Sequence, residues 1–313
     1  MRIIFAGSPP LALPSLYRAA EEHQICAVLT QPDRVAGRGK RLHQSPVKRG
    51  ALDLGLQVLQ PDRLGSASRE AVKALDPELL VAVAYGRIFG PKFLEIFPRG
   101  GINLHPSLLP AFRGTSPIQA VILAGEPFSG VTIQRLALEM DSGDVLLQKK
   151  IDLDGSETAG SLTDTLSHIG AELLGETLEV IQKNSEHGLA QDHDAATYCK
   201  LIRKEDGKID WKSGASDIER TIRAYNPWPT AFTKYGGKQL SILRASVSGL
   251  QPTGRDRVPG KVVGVDKEEG ILIQTGTQVL AVQEVRPQAR KNLEWRSFMN
   301  GARDFVGAVL GDE

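Results

Sequence analysis

The sequence predicts an α/β protein: a doubly wound, mostly parallel sheet followed by a small C-terminal OB-like β-barrel. Residues 1–185 alternate short apolar runs with segments long enough for helices, which is the signature of βαβ units. At 186–197 the run EHGLAQDHDAAT turns polar and loses its periodicity, as a connection does. Beyond it come short, β-like runs punctuated by glycine, the pattern of a small barrel.

In chain order, strands are expected at 2–6, 25–29, 57–59, 79–84, 101–105 and 130–135, and helices at 12–22, 45–54, 68–75, 117–124 and 161–184, the last from its long spacing of Leu and Ile. The later strands fall at 239–245, 260–265, 270–274 and 278–285. A five-stranded barrel fits that length, and such barrels commonly hold nucleic acid. The expected division is a domain over 1–189 with a basic insert at 31–48, a connection over 190–205, and a second domain over 206–313.

A chain of 313 residues, 41% apolar and 24% charged, has the length for two cores and an ordinary globular composition. No run approaches 18 apolar residues, and MRIIFAGSP enters a strand with no basic leader or cleavage site. A cytoplasmic protein with no membrane partner is expected. Cys26 and Cys199 lie too far apart for a disulfide framework or a thiolate metal site. His187, Asp192, His193 and Asp194 are explained by a polar connection, and no metal is expected.

The net charge of +1 conceals the insert, where Arg34, Arg38, Lys40, Arg41 and Lys48 face the single acid Asp33. Such a patch can bind a polyanion locally. Gly37-Arg38-Gly39-Lys40 lacks the gap and the following Ser or Thr of a Walker A loop. Gly7-Ser8-Pro9-Pro10 offers one glycine of a dinucleotide fingerprint, which argues against a nicotinamide cofactor.

The chemistry concentrates where the strand at 101–105 ends on Asn103-Leu104-His105 and the chain turns at Pro106. Ligands sit at the carboxyl ends of strands in open α/β sheets. Alternation puts Asn103 and His105 on one face. An amide can stabilise an oxyanion while an imidazole handles a proton. A carboxylate to fix the imidazole is offered by Asp141 in the turn MDSGD. Taken alone, Asp141 and Asp144 read first as turn formers, and a satisfied strand-end histidine is the default for His105.

The run INLHPSLLPAFRGTSPIQ followed by MDSGD resembles the 10-formyltetrahydrofolate-dependent formyltransferases, which share Asn-x-His, Ser-Leu-Leu-Pro and a downstream Asp-x-Gly. RIIFAGSP at 2–9, TQPDRVAGRGK at 30–40 and YNPWPTAF at 225–232 resemble the branch of that family acting on methionyl-initiator-tRNA, so the likeness spans nearly the whole chain. The resemblance implies a formyltransferase-type Rossmann-like domain and a C-terminal OB-like tRNA-binding domain. It implies catalytic roles for Asn103, His105 and Asp141, and 10-formyltetrahydrofolate as the one-carbon donor. It implies a folate site from Ser107, Leu108, Leu109 and Pro110 with Val83, Tyr85, Gly86 and Ile88. Without the family match, plain core is the favoured reading of Leu108, Leu109 and Ile88.

The resemblance also places the basic insert at the tRNA acceptor end, giving contacts through Arg38, Lys40, Arg41 and Lys48. Arg286 and Lys291, with Arg290 and Arg296, would add a basic surface in the second domain. Asn226-Pro227-Trp228-Pro229 is expected to pack between domains, and Arg113 matches the family without a role. A monomer is the expectation. Pro106 stands where the tRNA branch often has Gly or Ala, and His-Pro-Ser-Leu-Leu-Pro also occurs in enzymes that formylate glycinamide ribonucleotide. The motif thus defines the chemistry, and the acceptor is argued from the insert and the second domain. The competing readings are a formyltransferase for a small amine, such as glycinamide ribonucleotide or an amino-sugar nucleotide, and a non-catalytic RNA-binding relative.

Overall fold

A computed structural model describes residues 1–36, 41–250 and 258–311. The chain divides into two compact units. One holds 1–117, 128–152 and 163–200, and the other holds 118–127, 153–162 and 201–313. The polar stretch read as a connection is therefore shared, with residues up to 200 packing in the first unit.

The first unit is built on β1 (Arg2–Gly7), β2 (Gln24–Leu29), a hairpin of β3 (Arg34–Ala36) and β4 (Arg41–His43), β5 (Val58–Leu59), β6 (Leu79–Val83), β7 (Gly101–His105), β8 (Arg113–Gly114), β9 (Phe128–Arg135), β10 (Val145–Asp152) and β11 (Tyr198–Cys199). Its helices are α1 (Leu13–Glu22), α2 (Pro46–Asp53), α3 (Ser66–Lys73) and the short α4 (Pro91–Leu94). Next come α5 (Pro117–Ala124), which leaves this unit after its first residue, and α6 (Ala159–Gln182), which enters it at residue 163. The main sheet has seven strands in the order β10-β9-β7-β6-β1-β2-β5. β7, β6, β1, β2 and β5 run parallel, and β9 and β10 are antiparallel additions at one edge.

The pleat divides the core. Ile4, Ala6, Leu80 and Ala82 pack with Val72 of α3 and Phe93 of α4. On the other face, Leu104 lies against α6 at Gly170, where a Cβ would come within 2.7 Å of its Cδ1. Registry of Ala82 with Asn103 puts Asn103 and His105 on the α3 face, so alternation alone separates the polar pair from Ile102 and Leu104.

The sequence signals place the central strands to within a residue or two, and Ser45 caps α2 by accepting from the Lys48 amide at 3.0 Å. The structure adds β10, the β3–β4 hairpin and α4, which have no counterpart among the expected elements. Arg38 and Lys40 lie outside the described residues, as does the side chain of Arg41.

The second unit forms an antiparallel sheet in the order β12 (Phe232–Tyr235), β13 (Lys238–Val247), β16 (Val279–Pro287), β15 (Gly270–Gln274) and β14 (Val262–Asp266), with β17 (Leu293–Glu294) paired to β16. Two helices join these strands and have no counterpart among the expected elements: α7 (Ala215–Ala224) and α8 (Trp295–Gly301). Ala215, Ile218 and Ile222 of α7 recur at helical spacing and are buried against Ile242, Val282 and Phe305. Among the described residues no helix is long and apolar enough to cross a membrane.

Candidate active site

At the carboxyl end of β7 the side chain of His105 is buried, with 4% of its surface exposed. Its Nε2 lies 2.9 Å from the Phe112 carbonyl oxygen and its Nδ1 lies 3.6 Å from Asp141 Oδ1. A carbonyl only accepts, so Nε2 carries the proton. In the neutral ring Nδ1 is then a bare acceptor, and a hydrogen bond to Asp141 forms when Nδ1 gains a proton. The Asn103 carboxamide is half-buried and has no partner among the described residues. A carboxamide donor is thus left facing the space beside His105.

Antiparallel pairing sets Gln134 opposite Asn103 and Thr132 opposite His105. Both are buried, on the same face as the polar pair. Gln134 Nε2 donates to Asp141 Oδ1 at 3.0 Å, and the Gly114 amide donates to Oδ2 at 2.8 Å. Asp141 itself has φ of 54°, a left-handed conformation in a non-glycine residue. Gly143 follows because a Cβ there would collide with the Arg135 carbonyl. These residues bend the β9–β10 connection so that one carboxylate meets His105, Gln134 and the β8 backbone together. Thr132 and Gln134 alternate with Val131 and Ile133, so their shared face was readable in the sequence. Gln191, which also reaches this site, sits in the polar stretch and had no such signal.

The 107–110 loop is fastened to β9. Thr132 Oγ1 donates to the Ser107 carbonyl at 2.7 Å and accepts from the Leu109 amide at 3.1 Å, while Ser107 Oγ donates to the Ala111 carbonyl at 2.7 Å. Leu109-Pro110 is a cis peptide. Leu109 and Val83 are buried, Leu108 and Pro110 are half-buried, and Gly86 has φ of 80°. Ile88 is 71% exposed, so it is an open surface and not core. Tyr85 points elsewhere: its ring stacks on Phe89 at 5.3 Å within the core, and burial pushes its hydroxyl pKa up.

The basic residues are dispersed. Lys48 Nζ pairs with Asp33 at 2.7 Å, and that hydrogen bond, joined by one from Gln60, holds the Asp33 carboxyl below the usual range. Val35 and Leu42, paired across the β3–β4 hairpin, are 60% and 65% exposed. Arg286 is half-buried and donates to Thr230 Oγ1 at 3.3 Å, Arg290 and Lys291 are exposed, and Arg296 lies over the Trp295 ring. Trp228, expected to be packed away, is 56% exposed between two cis-prolines. A cavity of about 310 Å³ in the second unit, lined in part by Glu157, Glu219, Arg220 and Arg223, contains none of the residues at the β7 end.

An amide donor, a buried imidazole and a carboxylate gathered at a strand end suit acyl-type transfer. Residues 1–178 match the formyl transferase family and residues 201–303 match the formyl transferase C-terminal domain. The chain belongs to the formyl transferase family. It is 42% identical to the methionyl-tRNA formyltransferase of Treponema denticola over 98% of both chains. Among solved structures it is similar to an N-formyltransferase from Helicobacter canadensis in complex with folinic acid and dTDP-3-aminofucose, with 20% identity, TM-score 0.66 and coverage of 90% and 98%. It is also similar to HypX from Aquifex aeolicus, with 18% identity and TM-score 0.64, covering 98% of this chain and 50% of HypX.

Proposed function

We propose that the chain transfers the formyl group of 10-formyltetrahydrofolate to the free α-amine of methionyl-initiator-tRNA, in the cytoplasm and as a monomer. The observation that carries this reading is the Asn103–His105–Asp141 cluster, in a chain similar along its whole length to methionyl-tRNA formyltransferases.

The amine attacks the formyl carbon, and the carbonyl oxygen becomes an oxyanion. The unpartnered Asn103 carboxamide donates to it, and preorganised donors of this kind are the largest single contribution in acyl transfer. His105 Nδ1, bare in the neutral ring, accepts the proton the amine must shed. The imidazolium so formed is held between Asp141 Oδ1 and the Phe112 carbonyl. The same proton then passes to N10 as the carbon–N10 bond breaks, leaving tetrahydrofolate and formylated methionyl-tRNA. Asp141 accepts two further hydrogen bonds, so its carboxylate is fixed toward Nδ1 throughout.

A flat pterin needs backbone donors and acceptors along an apolar slot. The 107–110 loop, with the turn carrying Val83, Gly86 and Ile88, supplies such a surface, and Tyr85 supports it from the core. The acceptor end of the tRNA is assigned to Arg38, Lys40 and Arg41. Lys48 pairs with Asp33 next to the start of β3, and Arg286 and Lys291 add charge in the second domain, 206–313. The test is to mix purified protein with 10-formyltetrahydrofolate and charged initiator tRNA. Glycinamide ribonucleotide and an amino-sugar nucleotide are offered in parallel tubes. Formylation of the tRNA is the expected result, and formylation in a parallel tube alone overturns the assignment.

A further inference from the structure

Arg113 is 2% exposed, yet among the described residues no carboxylate forms an ion pair with it. Burying a charge is costly unless its hydrogen bonds are met, so what its donors hold is informative. Nε and Nη2 both donate to Gln191 Oε1, at 3.1 and 2.7 Å. The remaining contacts go to His193 Nδ1 and the Tyr198 hydroxyl, each at 3.3 Å.

A guanidinium only donates. Gln191, 6% exposed, must therefore turn its oxygen to Arg113 and its NH2 the other way. That NH2 meets three acceptors: the carbonyl of Asp141 at 2.9 Å, the carbonyl of Gly143 at 2.6 Å, and Gln134 Oε1 at 3.2 Å. Gln134, turned in the same sense, presents its NH2 to Asp141 Oδ1 at 3.0 Å. Every bond in the chain from Arg113 through Gln191 and Gln134 to Asp141 points one way. The Gly114 amide, next in sequence to Arg113, closes on Asp141 Oδ2.

We infer that Arg113 is a positioning residue for the transfer reaction, acting through Gln191. Its cation holds the oxygen end of an amide relay whose donor end clamps the 141–143 turn and keeps the Asp141 carboxylate aimed at His105. The inference rests on the formyl-transfer reading above. It explains why a cation is buried beside amides: Gln191 Oε1 points away from the three acceptors on its NH2, and only a donor placed as Arg113 is satisfies that buried oxygen. Lysine does not replace it, because an ammonium lacks the rigid fork that places two donors on one oxygen.

The test uses the full-length enzyme with 10-formyltetrahydrofolate and charged initiator tRNA. Gln191→Glu keeps an acceptor for Arg113 and removes the three donated bonds, and Gln191→Met removes them without adding charge. Both are expected to lower kcat by about 10- to 100-fold, as misplacement of a reacting group does, with KM for the folate donor within about threefold. Arg113→Lys is expected to be impaired in kcat as well. Tyr198→Phe deletes a bond to the same guanidinium but none to Asp141, and should keep kcat within about twofold. A folded Gln191 variant with unchanged kcat, a change in KM alone, or an equal loss in Tyr198→Phe overturns the inference. Failure of both Gln191 variants to fold also overturns it, because the network then serves stability alone. Wild-type enzyme inactive on charged tRNA would defeat the functional reading instead, so the two failures are separable.

Discussion

Thr132→Val offers a sharp test of how the site is held, because valine keeps the shape and removes only the hydroxyl. Thr132 Oγ1 serves three groups: the Ser107 carbonyl at 2.7 Å, the Leu109 amide at 3.1 Å and Gln148 Nε2 at 2.7 Å. Gln148 is exposed and can turn to water. Ser107 and Leu109 are 0% and 5% exposed, so the two backbone groups lose their partner where water does not reach. At about 1–3 kcal/mol for each stranded group, with partial relaxation, the loss should be about 2–4 kcal/mol. All three tryptophans, Trp211, Trp228 and Trp295, lie in the second unit, so their fluorescence is blind to this change. Hydrogen exchange by mass spectrometry over 102–112 reads it directly. Amides there should exchange about 30- to 900-fold faster, the equilibrium equivalent of that loss, while peptides from 262–287 stay unchanged. Acceleration of less than about fivefold would show that the hydroxyl is not what fastens the 107–110 loop.

Three further outcomes follow from the same geometry. Asn103→Ala and Asp141→Asn should each lose about 10²- to 10³-fold in turnover on charged tRNA with the chain still folded, and near-normal turnover would remove that residue from the mechanism. Replacing Arg38, Lys40 and Arg41 together by Ala should raise KM for tRNA and reduce the salt slope by about 2 to 3, leaving folate binding intact; an unaltered slope would refute the insert's role. Burial pushes the Cys199 thiol pKa up, against a hydrogen bond from the Ser116 amide that acts to lower it. The thiolate therefore forms only at higher pH than for a free cysteine. In a Cys26→Ser background the alkylation rate should rise on a limb displaced upward in pH, and a limb at or below about 8.5 contradicts the packing around Cys199.

What the sequence revealed follows from which interactions are local. Parity along β7 is a property of the strand itself, so the common face of Asn103 and His105 was legible before any partner strand was known. Asp141 was legible as a turn beside a motif. Its left-handed backbone and its two donors depend on Gln134 and Gly114, which only the folded registry brings in. The edge strand β10 was not legible because its apolar run stops at Val145-Leu146-Leu147, and Gln148, Lys149 and Lys150 then follow exposed in succession with no alternation. The β3–β4 hairpin was hidden in the same way by its charges. Which way the Tyr85 ring points was not legible, because position in a motif does not report orientation. With Ala84 at φ of 49° and Gly86 at φ of 80°, the chain turns its ring toward Phe89. The helix α7, by contrast, was readable from Ala215, Ile218 and Ile222.

The parallel pairing of β8 with β11 bears on biosynthesis. The seven-stranded sheet is complete once the chain reaches the end of β10 at Asp152. Gln191, Tyr198 and Cys199 reach the nascent sheet only after α6 has been made. In chain order, every strand of the main sheet therefore precedes Gln191, the residue that links Arg113 to the 141–143 turn. Products of premature termination before 191 would carry Asn103, His105 and Asp141 without the Arg113–Gln191 clamp.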